Sequence, residues 1–348
     1  MSRKTLTVIV PTYNMEEYLG RCLGSVCLPG LENDLEVIVV NDGSTDASLS
    51  IATDCSRAFP DMVAVIDKPN AHYGSCVNAG LKVATGTYVS VLDADDCLNA
   101  EGLRALVETL RDACEDMVIH DIRMVDMKGA LVRTIGCPLE EGRSYGVDAL
   151  WDVPELWGHM VSYRTENLRK AGYHQTEGIH YTDQEWLFFP VTTVKTLRYL
   201  KKVVYDYTVG RAGQSVDPVV FWAHIDDEIT GLKTQIRQYM GMEHLDRSLD
   251  RYLLMRLRTR MGTVYSQLLI YHLDARSLRK ARDLDSWLHG ISPALWRLAG
   301  YLDAPVAALH LKYVRSWRRH RCRPDLPCRV LHTYKELRRR VWKAPGTL

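Results

Sequence analysis

Short apolar runs alternate with amphipathic segments over roughly the first hundred residues of the chain. The apolar runs are rich in Val and Ile and end in polar turns, whereas the segments between them repeat apolar residues at helical spacing. The pattern predicts strands at 6–14, 35–46, 63–70 and 87–96, and helices at 15–27, 47–59 and 73–86. Near-continuous apolar strands separated by helices are typical of a parallel sheet covered on both faces, so we expect an α/β domain.

The pattern changes along the rest of the chain. Further strands are predicted at 117–126 and 159–165 and, as a pair, within 196–210. From Val219 to about Ala344 the spacing is almost wholly helical. This change of period, together with Gly213 and Pro218, predicts an α/β domain at 1–212 and a helical extension at 213–348.

Charge is unevenly distributed along the 348 residues. The net charge is +1, but from residue 311 onward twelve Lys or Arg face two acids, which gives this tail +10 and leaves −9 on the remainder. The segments 313–323 and 335–343 interleave Trp, Tyr and Val with Arg, a composition that suits an anionic membrane surface. Nucleic acid is the other anionic partner, but no RNA- or DNA-binding motif accompanies the basic residues, so we expect none.

Cysteine usage and hydropathy bear on location. The nine cysteines are scattered and include no CxxC pair, and we recognise no signal peptide, which together predict a reducing cytoplasm. No run approaches the roughly eighteen apolar residues that a spanning helix requires. With the basic tail, these features predict a cytoplasmic protein that is peripheral on the inner face of the cell membrane.

Acidic residues follow the fourth predicted strand, in the stretch YVSVLDADD. Ligands of open α/β sheets bind beyond the carboxyl ends of the strands. Asp93 and Asp95 are two residues apart and can reach one Mg²⁺ or Mn²⁺ ion, which prefers carboxylate and phosphate oxygens. Asp96 then points elsewhere, to cap the next helix or hold a substrate hydroxyl. An acidic turn with capping Asp side chains is the alternative.

Motifs for other nucleotide sites are missing. Neither GxGxxG nor GxxxxGK[ST] follows any predicted strand, which counts against dinucleotide dehydrogenases and P-loop NTPases.

Four blocks of sequence together resemble a known family. They are VIVPTYN, VVNDGSTD, NAHYGSCVNAGLKVATGTYVSVLDADD and YTDQEW. In order and spacing they resemble the family 2 glycosyltransferases, over roughly residues 5–215. The resemblance implies a GT-A fold, a Rossmann-like mixed sheet, here followed by the helical extension. It also implies inverting transfer from a nucleotide-sugar, with a UDP-sugar expected, to a hydroxyl of a glycan or lipid-linked acceptor in bacterial cell-surface polysaccharide synthesis.

The resemblance assigns residues to the nucleotide. Pro11 and Tyr13 are expected to support the base, and Asp42 to accept a hydrogen bond from uracil N3–H. Asn78 matches the last position of the family's ARN triplet, whose Arg is Val77 here.

Arg211 and Ser215 lie in a loop that closes over the diphosphate in related members. His72, Lys68 and Arg211 are the candidates for the missing charge, and a clamp by Arg211 is the preferred one. A plain hinge between domains is the alternative reading of this loop.

The resemblance also assigns the metal and the base. Asp93 and Asp95 are expected to bind Mn²⁺ or Mg²⁺ against the diphosphate, so that Asp93 also serves the nucleotide. In YTDQEW, Thr182 replaces the Glu of the family's acidic pair, and Asp183 aligns with its Asp. Inversion needs a carboxylate opposite the leaving group, so Asp183 is the expected general base and Glu185 the reserve. A capped helix start is the alternative.

Weaker indications concern the acceptor or sugar. The residues assigned to it are His72, Asp96, Trp157, His159 and Trp186.

Two other functions compete with glycosyl transfer. A metal-dependent nucleotidyltransferase should carry a Gly-rich, basic signature near its start, which VIVPTYN lacks. A non-catalytic protein that tethers a partner to membrane would not need Asp42, Asp93, Asp95 and Asp183 together.

Overall fold

A computed structural model describes residues 3–211, 213–214, 217–306, 309–320 and 323–342. The chain forms two compact units. The first comprises Met1–Phe221 and Gln238–Tyr252, and the second Trp222–Arg237 and Leu253–Leu348. The division into functional domains at 1–212 and 213–348 stays a prediction.

The first unit is built on one mixed sheet. Its strands are β1 (Leu6–Thr12), β2 (Leu35–Asp42), β3 (Val63–Lys68), β4 (Tyr88–Val91), β5 (Cys97–Leu98), β6 (Met117–Asp126), β7 (Leu131–Ile135), β8 (Ser144–Gly146), β9 (Val161–Arg164) and β10 (Thr196–Val209). They are ordered β3-β2-β1-β4-β9-β6-β10-β5, with β7 beside β6 and β8 beside β10. β1 pairs in parallel with β2 and β4, whereas β9 is antiparallel to β4 and β6. The order places the carboxyl ends of β1, β2 and β4 along one edge.

Apolar residues hold these strands inside the unit. All seven residues of β1 are buried, as expected for a strand covered on both faces. In the parallel register Ile9 lies between Ile38 and Val91. The helices of this part are α1 (Leu19–Val26), α2 (Ser48–Ala58), α3 (His72–Val83), α4 (Ala100–Asp112) and α5 (Thr165–Lys170). The four buried residues of α1 recur at helical spacing, so the periodicity read from the sequence is the one that packs.

The prediction of two strands within 196–210 is wrong. The segment forms the single strand β10, which pairs in parallel with β6 and shifts register between Leu200 and Tyr205. Lys201 and Lys202 are exposed at this β-bulge. Two consecutive lysines interrupt the apolar pattern of this segment, and the bulge accommodates them within one strand.

Among the described residues after Pro218, helices predominate and a hairpin interrupts them. Its helices are α6 (Pro218–Ala223), α7 (Ile225–Met240), α8 (Arg247–Ser266), α9 (Ala275–Ile291), α10 (Pro293–Ala299), α11 (Tyr313–Trp317) and α12 (Leu326–Trp342). The hairpin pairs β11 (Ala304–Val306) with β12 (Leu309–Leu311), which helical spacing did not predict. Pro305 cannot sit inside a helix, which explains the interruption.

Two sets of buried polar side chains in the second unit are paired. Glu228 and Arg260 form a two-point ion pair, with bonds of 3.1 and 3.0 Å, and each side chain is only 4 % exposed. Asp285 accepts hydrogen bonds from Tyr265, Trp296 and Arg318. Among the described helices, none combines the length and the apolar character needed to cross a bilayer.

Candidate active site

The turn after β4 carries Asp93, whose carboxylate is held from two sides. Its Oδ1 accepts the Tyr73 hydroxyl at 3.1 Å, and its Oδ2 lies 3.1 Å from Nε2 of His159. Burial works against ionisation, but the contacts with His159 and Tyr73 outweigh it and lower the pKa of Asp93. Asp93 is therefore a fixed carboxylate at the end of the strand.

Asp95, two residues on, is paired differently. The Arg211 Nε lies 2.9 Å from its Oδ2, and Arg21 donates to its main-chain carbonyl at 2.9 Å. Burial and the charge of Asp93 raise the pKa of Asp95. The charge of Asp93 thus disfavours ionisation of Asp95, and the assignment of a cation to the two carboxylates stays a prediction. Ser215, assigned to the same loop as Arg211, lies outside the described residues.

Asp96 faces the interior, which differs from its predicted roles. It is 2 % exposed and accepts hydrogen bonds from the Tyr205 hydroxyl at 2.7 Å and the Thr208 N–H at 2.6 Å. Burial, and then Asp93 and Asp95, raise its pKa to about 7. Asn99 caps α4 instead, accepting from an N–H of its first turn. Asp96 therefore joins the acidic turn to β10, and its placement gives no support to a contact with a substrate hydroxyl.

His159 lies among aromatic rings. Its ring centroid is 4.8 Å from that of Tyr205 and 5.4 Å from that of Tyr207, and Trp157 meets Tyr207 edge-on at 5.3 Å. Burial alone would lower the pKa of His159, but Asp93, followed by further nearby acids, raises it to about 9. At neutral pH His159 is therefore a cation that positions Asp93, and Trp157 lies beside it.

Metal ligands can be drawn from this cluster in two ways. Asp93, Asp96 and His159 each offer one ligand atom, and these atoms lie within 4.8 Å of one another. Asp93 and Asp95 are the predicted pair. Both Asp96 oxygens are bonded to β10, and Asp95 is paired with Arg211. The assignment of the ion to the predicted pair stays a prediction.

The stretch YTDQEW forms a short 3₁₀ helix, Asp183–Leu187. Asp183 is half-buried. The pKa values of Tyr73 and Tyr207 are raised first by burial and then by the charge of Asp93, and the charge of Asp183 adds to this effect on both hydroxyls. Asp183 therefore lies within electrostatic reach of the same cluster as Asp93. Glu185 is 1 % exposed and accepts the Thr176 N–H at 2.8 Å. The structure thus orients the expected base and its reserve differently.

Trp186, the next residue, belongs to the core. It is 3 % exposed and packs against Tyr163 at 5.3 Å and Tyr173 at 5.9 Å between ring centroids. An indole ring that is almost fully buried has no exposed face on which a sugar could stack. The placement of Trp186 therefore gives no support to the predicted contact with the acceptor, because this aromatic residue beside the acidic motif packs inward.

The ends of β1 and β2 carry the residues assigned to the base. Tyr13 is 47 % exposed, whereas Pro11 is buried within β1 opposite Val40. Asp42 is 3 % exposed, accepts the Ala71 N–H at 2.9 Å and pairs with the Lys68 ammonium group. An exposed ring and a buried acceptor thus lie at the ends of adjacent strands.

Asn78 and His72 lie on α3. The Asn78 amide exchanges two hydrogen bonds with the main chain of Gln175, at 2.9 and 2.8 Å, and so holds the loop that precedes Asp183. This placement gives no support to a phosphate contact. His72 begins α3 with a φ of 65°, and its ring centroid is 4.4 Å from that of His180.

Three residues of the cluster were not singled out from the sequence. Tyr73, Tyr205 and Tyr207 surround Asp93 and His159. Tyr205 and Tyr207 are two apart in a strand, so they share a face, and this spacing in YDYTVG was the available signal.

Comparisons with known proteins agree with this architecture. Residues 7–172 match the family model described as Glycosyl transferase family 2. An uncharacterized glycosyltransferase of Nostoc sp. is 36% identical over 172 residues, which are 48% of this chain and 52% of the relative. The chondroitin synthase of Pasteurella multocida is 27% identical over 206 residues, 58% of this chain and 20% of that one. The chain thus spans about half the length of the Nostoc relative and a fifth of the length of the chondroitin synthase.

A solved structure extends the likeness to the whole chain. The crystal structure of S. aureus TarS 1–349 in complex with UDP-GlcNAc matches with a TM-score of 0.67 and 19% identity, over 97% of this chain and 92% of that one. At this identity the likeness shows the fold alone. The predicted mixed α/β sheet with a helical C-terminal region is confirmed.

Proposed function

Residues 7–172 are a family 2 glycosyltransferase domain with a GT-A fold, and from this premise we propose an inverting enzyme that transfers a sugar from a UDP-sugar. The acceptor is a hydroxyl of a glycan or lipid-linked molecule in cell-surface polysaccharide synthesis. The observation that carries this proposal is the convergence of Asp183 and Asp93 on one cluster, since both charges act on Tyr73 and Tyr207. We assign Asp93 to the leaving group and Asp183 to the acceptor hydroxyl as its base.

The donor proposal rests on the strand ends. The exposed ring of Tyr13 can stack on a base, a contact worth about 1–3 kcal/mol. The buried carboxylate of Asp42 can accept from uracil N3–H, which cytosine lacks. The UDP-GlcNAc complex of TarS supports uridine as the base.

We assign the divalent ion, Mn²⁺ or Mg²⁺, to Asp93 and Asp95. The two carboxylates lie two residues apart after β4, and burial and the charge of Asp93 raise the pKa of Asp95, so a cation between them would favour the ionised form of both. When bound, such an ion would neutralise the diphosphate and stabilise it as a leaving group. Tyr73 and His159 hold the Asp93 side chain in position for this role.

Asp183 is the proposed general base. It would take the proton of the acceptor hydroxyl as oxygen attacks the anomeric carbon, and the nucleoside diphosphate would leave from the opposite face. Glu185, which is bonded to the main chain of Thr176, would orient this segment.

Thermal stability with UDP, GDP, CDP and ADP, each with and without Mn²⁺, tests the site first. A ligand at a hundredfold excess over its dissociation constant stabilises the folded state by about 2.7 kcal/mol. We expect a rise in Tm with UDP that requires Mn²⁺. Asp183→Asn should keep this rise and lose UDP release from UDP-GlcNAc or another UDP-sugar, while Asp54→Asn, on the surface of α2, should keep both. The absence of a rise with every nucleotide would overturn the proposal.

We also assign the C-terminal helix α12 to an anionic membrane surface. One side of it is buried through Cys328 and Leu331, both 0 % exposed. Leu326, Val330 and Leu337 are 73, 44 and 56 % exposed. At about 100° per residue these three lie within roughly 40° of one another, so they form an exposed apolar stripe.

Charge selects the partner for this stripe. Arg323 and Arg329 are exposed beside it, whereas Asp325 is buried and accepts the Cys328 N–H. Two copies of the stripe would bring like charges together, but the anionic cytoplasmic leaflet would attract them.

Vesicle sedimentation tests this assignment. Binding should require phosphatidylglycerol in phosphatidylcholine vesicles, fall with salt, and weaken in Leu337→Glu. It should be unchanged in Leu131→Glu, an exposed strand position in the first unit. Equal binding to neutral vesicles, or dimerisation through α12 without lipid, would contradict the assignment.

A further inference from the structure

Cys27 and Cys55 bring two thiols together between the first two helices. Cys27 directly follows α1, and Cys55 lies in α2. Both are free thiols, and their Sγ atoms are 3.7 Å apart, close enough for one to donate a hydrogen bond to the other. The two sulfurs of a disulfide are about 2.05 Å apart, so a covalent bond requires them to approach by about 1.7 Å.

The two thiols differ in exposure and in acidity. Cys27 is 7 % exposed, whereas Cys55 is half-buried. The hydrogen bond from Cys27 lowers the pKa of Cys55, although burial acts against this effect. The same hydrogen bond, followed by burial, raises the pKa of Cys27. Since the thiolate is the reactive form of cysteine, Cys55 is the thiol that an oxidant attacks first, and Cys27 stays protonated beside it.

We infer that Cys27 and Cys55 form a redox-active dithiol, which peroxides convert to an intramolecular disulfide. The Cys55 thiolate attacks one oxygen of hydrogen peroxide, the O–O bond breaks, and a sulfenic acid and hydroxide form. The Cys27 sulfur then attacks the Cys55 sulfur, the S–O bond breaks, and the oxygen leaves as water with the proton of Cys27. Hydroxide takes up the proton that Cys55 had released. Two thiols and one peroxide thus give one disulfide and two water molecules.

This disulfide would fasten the far ends of two helices whose starts are already bonded. The Met15 N–H donates to the Ser48 hydroxyl at 2.7 Å, and the Ala47 N–H donates to the Glu16 carboxylate at 2.8 Å. The two thiols lie toward the C-terminal ends of the same helices. The bond would close a loop from residue 27 to residue 55, which restricts the unfolded chain and stabilises the folded first unit.

Peptide mass mapping of the full chain tests the inference without nucleotide or turnover, and therefore independently of the proposed function. The reduced protein would be treated with hydrogen peroxide, alkylated, and digested without reductant. We expect one pair of peptides joined through Cys27 and Cys55, and a rise in Tm of about 5–10 °C that dithiothreitol reverses. Cys114→Ser, which removes an exposed thiol after α4, should keep both the link and the rise.

Two single substitutions separate the roles of the thiols. Cys27→Ser keeps a hydrogen-bond donor beside Cys55 but removes the thiol that resolves its sulfenic acid. Dimedone, which reacts with sulfenic acids, should therefore label Cys55 in this variant after peroxide treatment and label it less in the wild type. In Cys55→Ser the buried Cys27 should be neither linked nor labelled. The link itself is measured on the wild type, so the test does not depend on the folding of either variant.

Three results would contradict the inference. Oxidation of Cys114 while Cys27 and Cys55 stay free thiols would show that the pair does not react. Covalent dimers on a non-reducing gel, with no link inside one molecule, would show that the two sulfurs do not meet in the folded chain. A link between Cys27 and Cys55 without a rise in Tm would refute the fastening of α1 to α2.

Discussion

Replacing His159 should remove a pH-dependent part of the stability of the fold. His159 contacts Asp93 at 3.1 Å, and its pKa is raised from 6.5 to about 9. At about 1.4 kcal/mol for each tenfold change in proton affinity, the protonated imidazole gains about 3 kcal/mol in the folded state. Since the pKa is raised on folding, this stabilisation is complete below pH 6.5 and is lost as pH rises through 9.

The assay is denaturant unfolding at several pH values between 6 and 10, in buffer with EDTA. The free energy of unfolding of the wild type should fall relative to His159→Asn by about 3 kcal/mol across this interval. The imidazole resonance that disappears in the variant should titrate near pH 9.

His120 provides the matched control. It is 3 % exposed, and burial lowers its pKa to about 4. A lowered pKa affects stability between pH 4 and 6.5, where the unfolded state binds more protons, and not above. His120→Asn can cost stability, but its curve should run parallel to the wild type from pH 7 to 10. Parallel curves for His159→Asn as well would refute the imidazolium assignment.

Three further predictions concern the two units. Glu228→Gln removes the carboxylate from the buried Glu228–Arg260 ion pair and should lower the free energy of unfolding of the second unit by about 3–5 kcal/mol in chemical denaturation. In the same assay Asp226→Asn, which removes an exposed ion pair, should cost under about 1 kcal/mol. Tyr13→Ala should weaken UDP binding in calorimetry by about 1–3 kcal/mol, and an unchanged affinity would remove Tyr13 from the base site. Gly74→Ala would place its Cβ 2.0 Å from the Thr176 carbonyl oxygen and should lower Tm and UDP release together, whereas Gly24→Ala, with no atom within 4 Å, should raise Tm slightly.

The first four strands were predictable because each satisfies its pattern locally. Continuous apolar runs such as β1 become central strands wherever the helices between them cover both faces, so periodicity was sufficient. The exposure of Tyr13 and the position of Asp93 and Asp95 beside the site were predictable because these residues follow the ends of β1 and β4. β10 was misread because a bulge depends on the neighbouring strand β6, which the local sequence does not display.

Side-chain orientation at the site was less predictable. Asp96 and Asp95 are adjacent and chemically identical, yet one is bonded to β10 and the other to Arg211. Trp186 and Asn78 likewise take their roles from segments more than twenty residues away, Tyr163 and Gln175. Such partners are set by tertiary contacts, and one sequence reveals them only when both ends carry a recognisable pattern.

The bulge in β10 separates a part of the strand that should tolerate an inserted residue from a part that should not. Beyond the bulge, the Tyr205 hydroxyl and the Thr208 main-chain N–H bond to Asp96, and the Tyr207 ring packs against His159. Inserting one residue there would turn the two tyrosine side chains to the opposite face of the sheet and remove these contacts around Asp93. An insertion beside Lys201 would instead enlarge an irregularity that the sheet already contains. Natural or engineered forms of this chain should therefore tolerate insertions before Val203 and lose the site when residues are inserted after it.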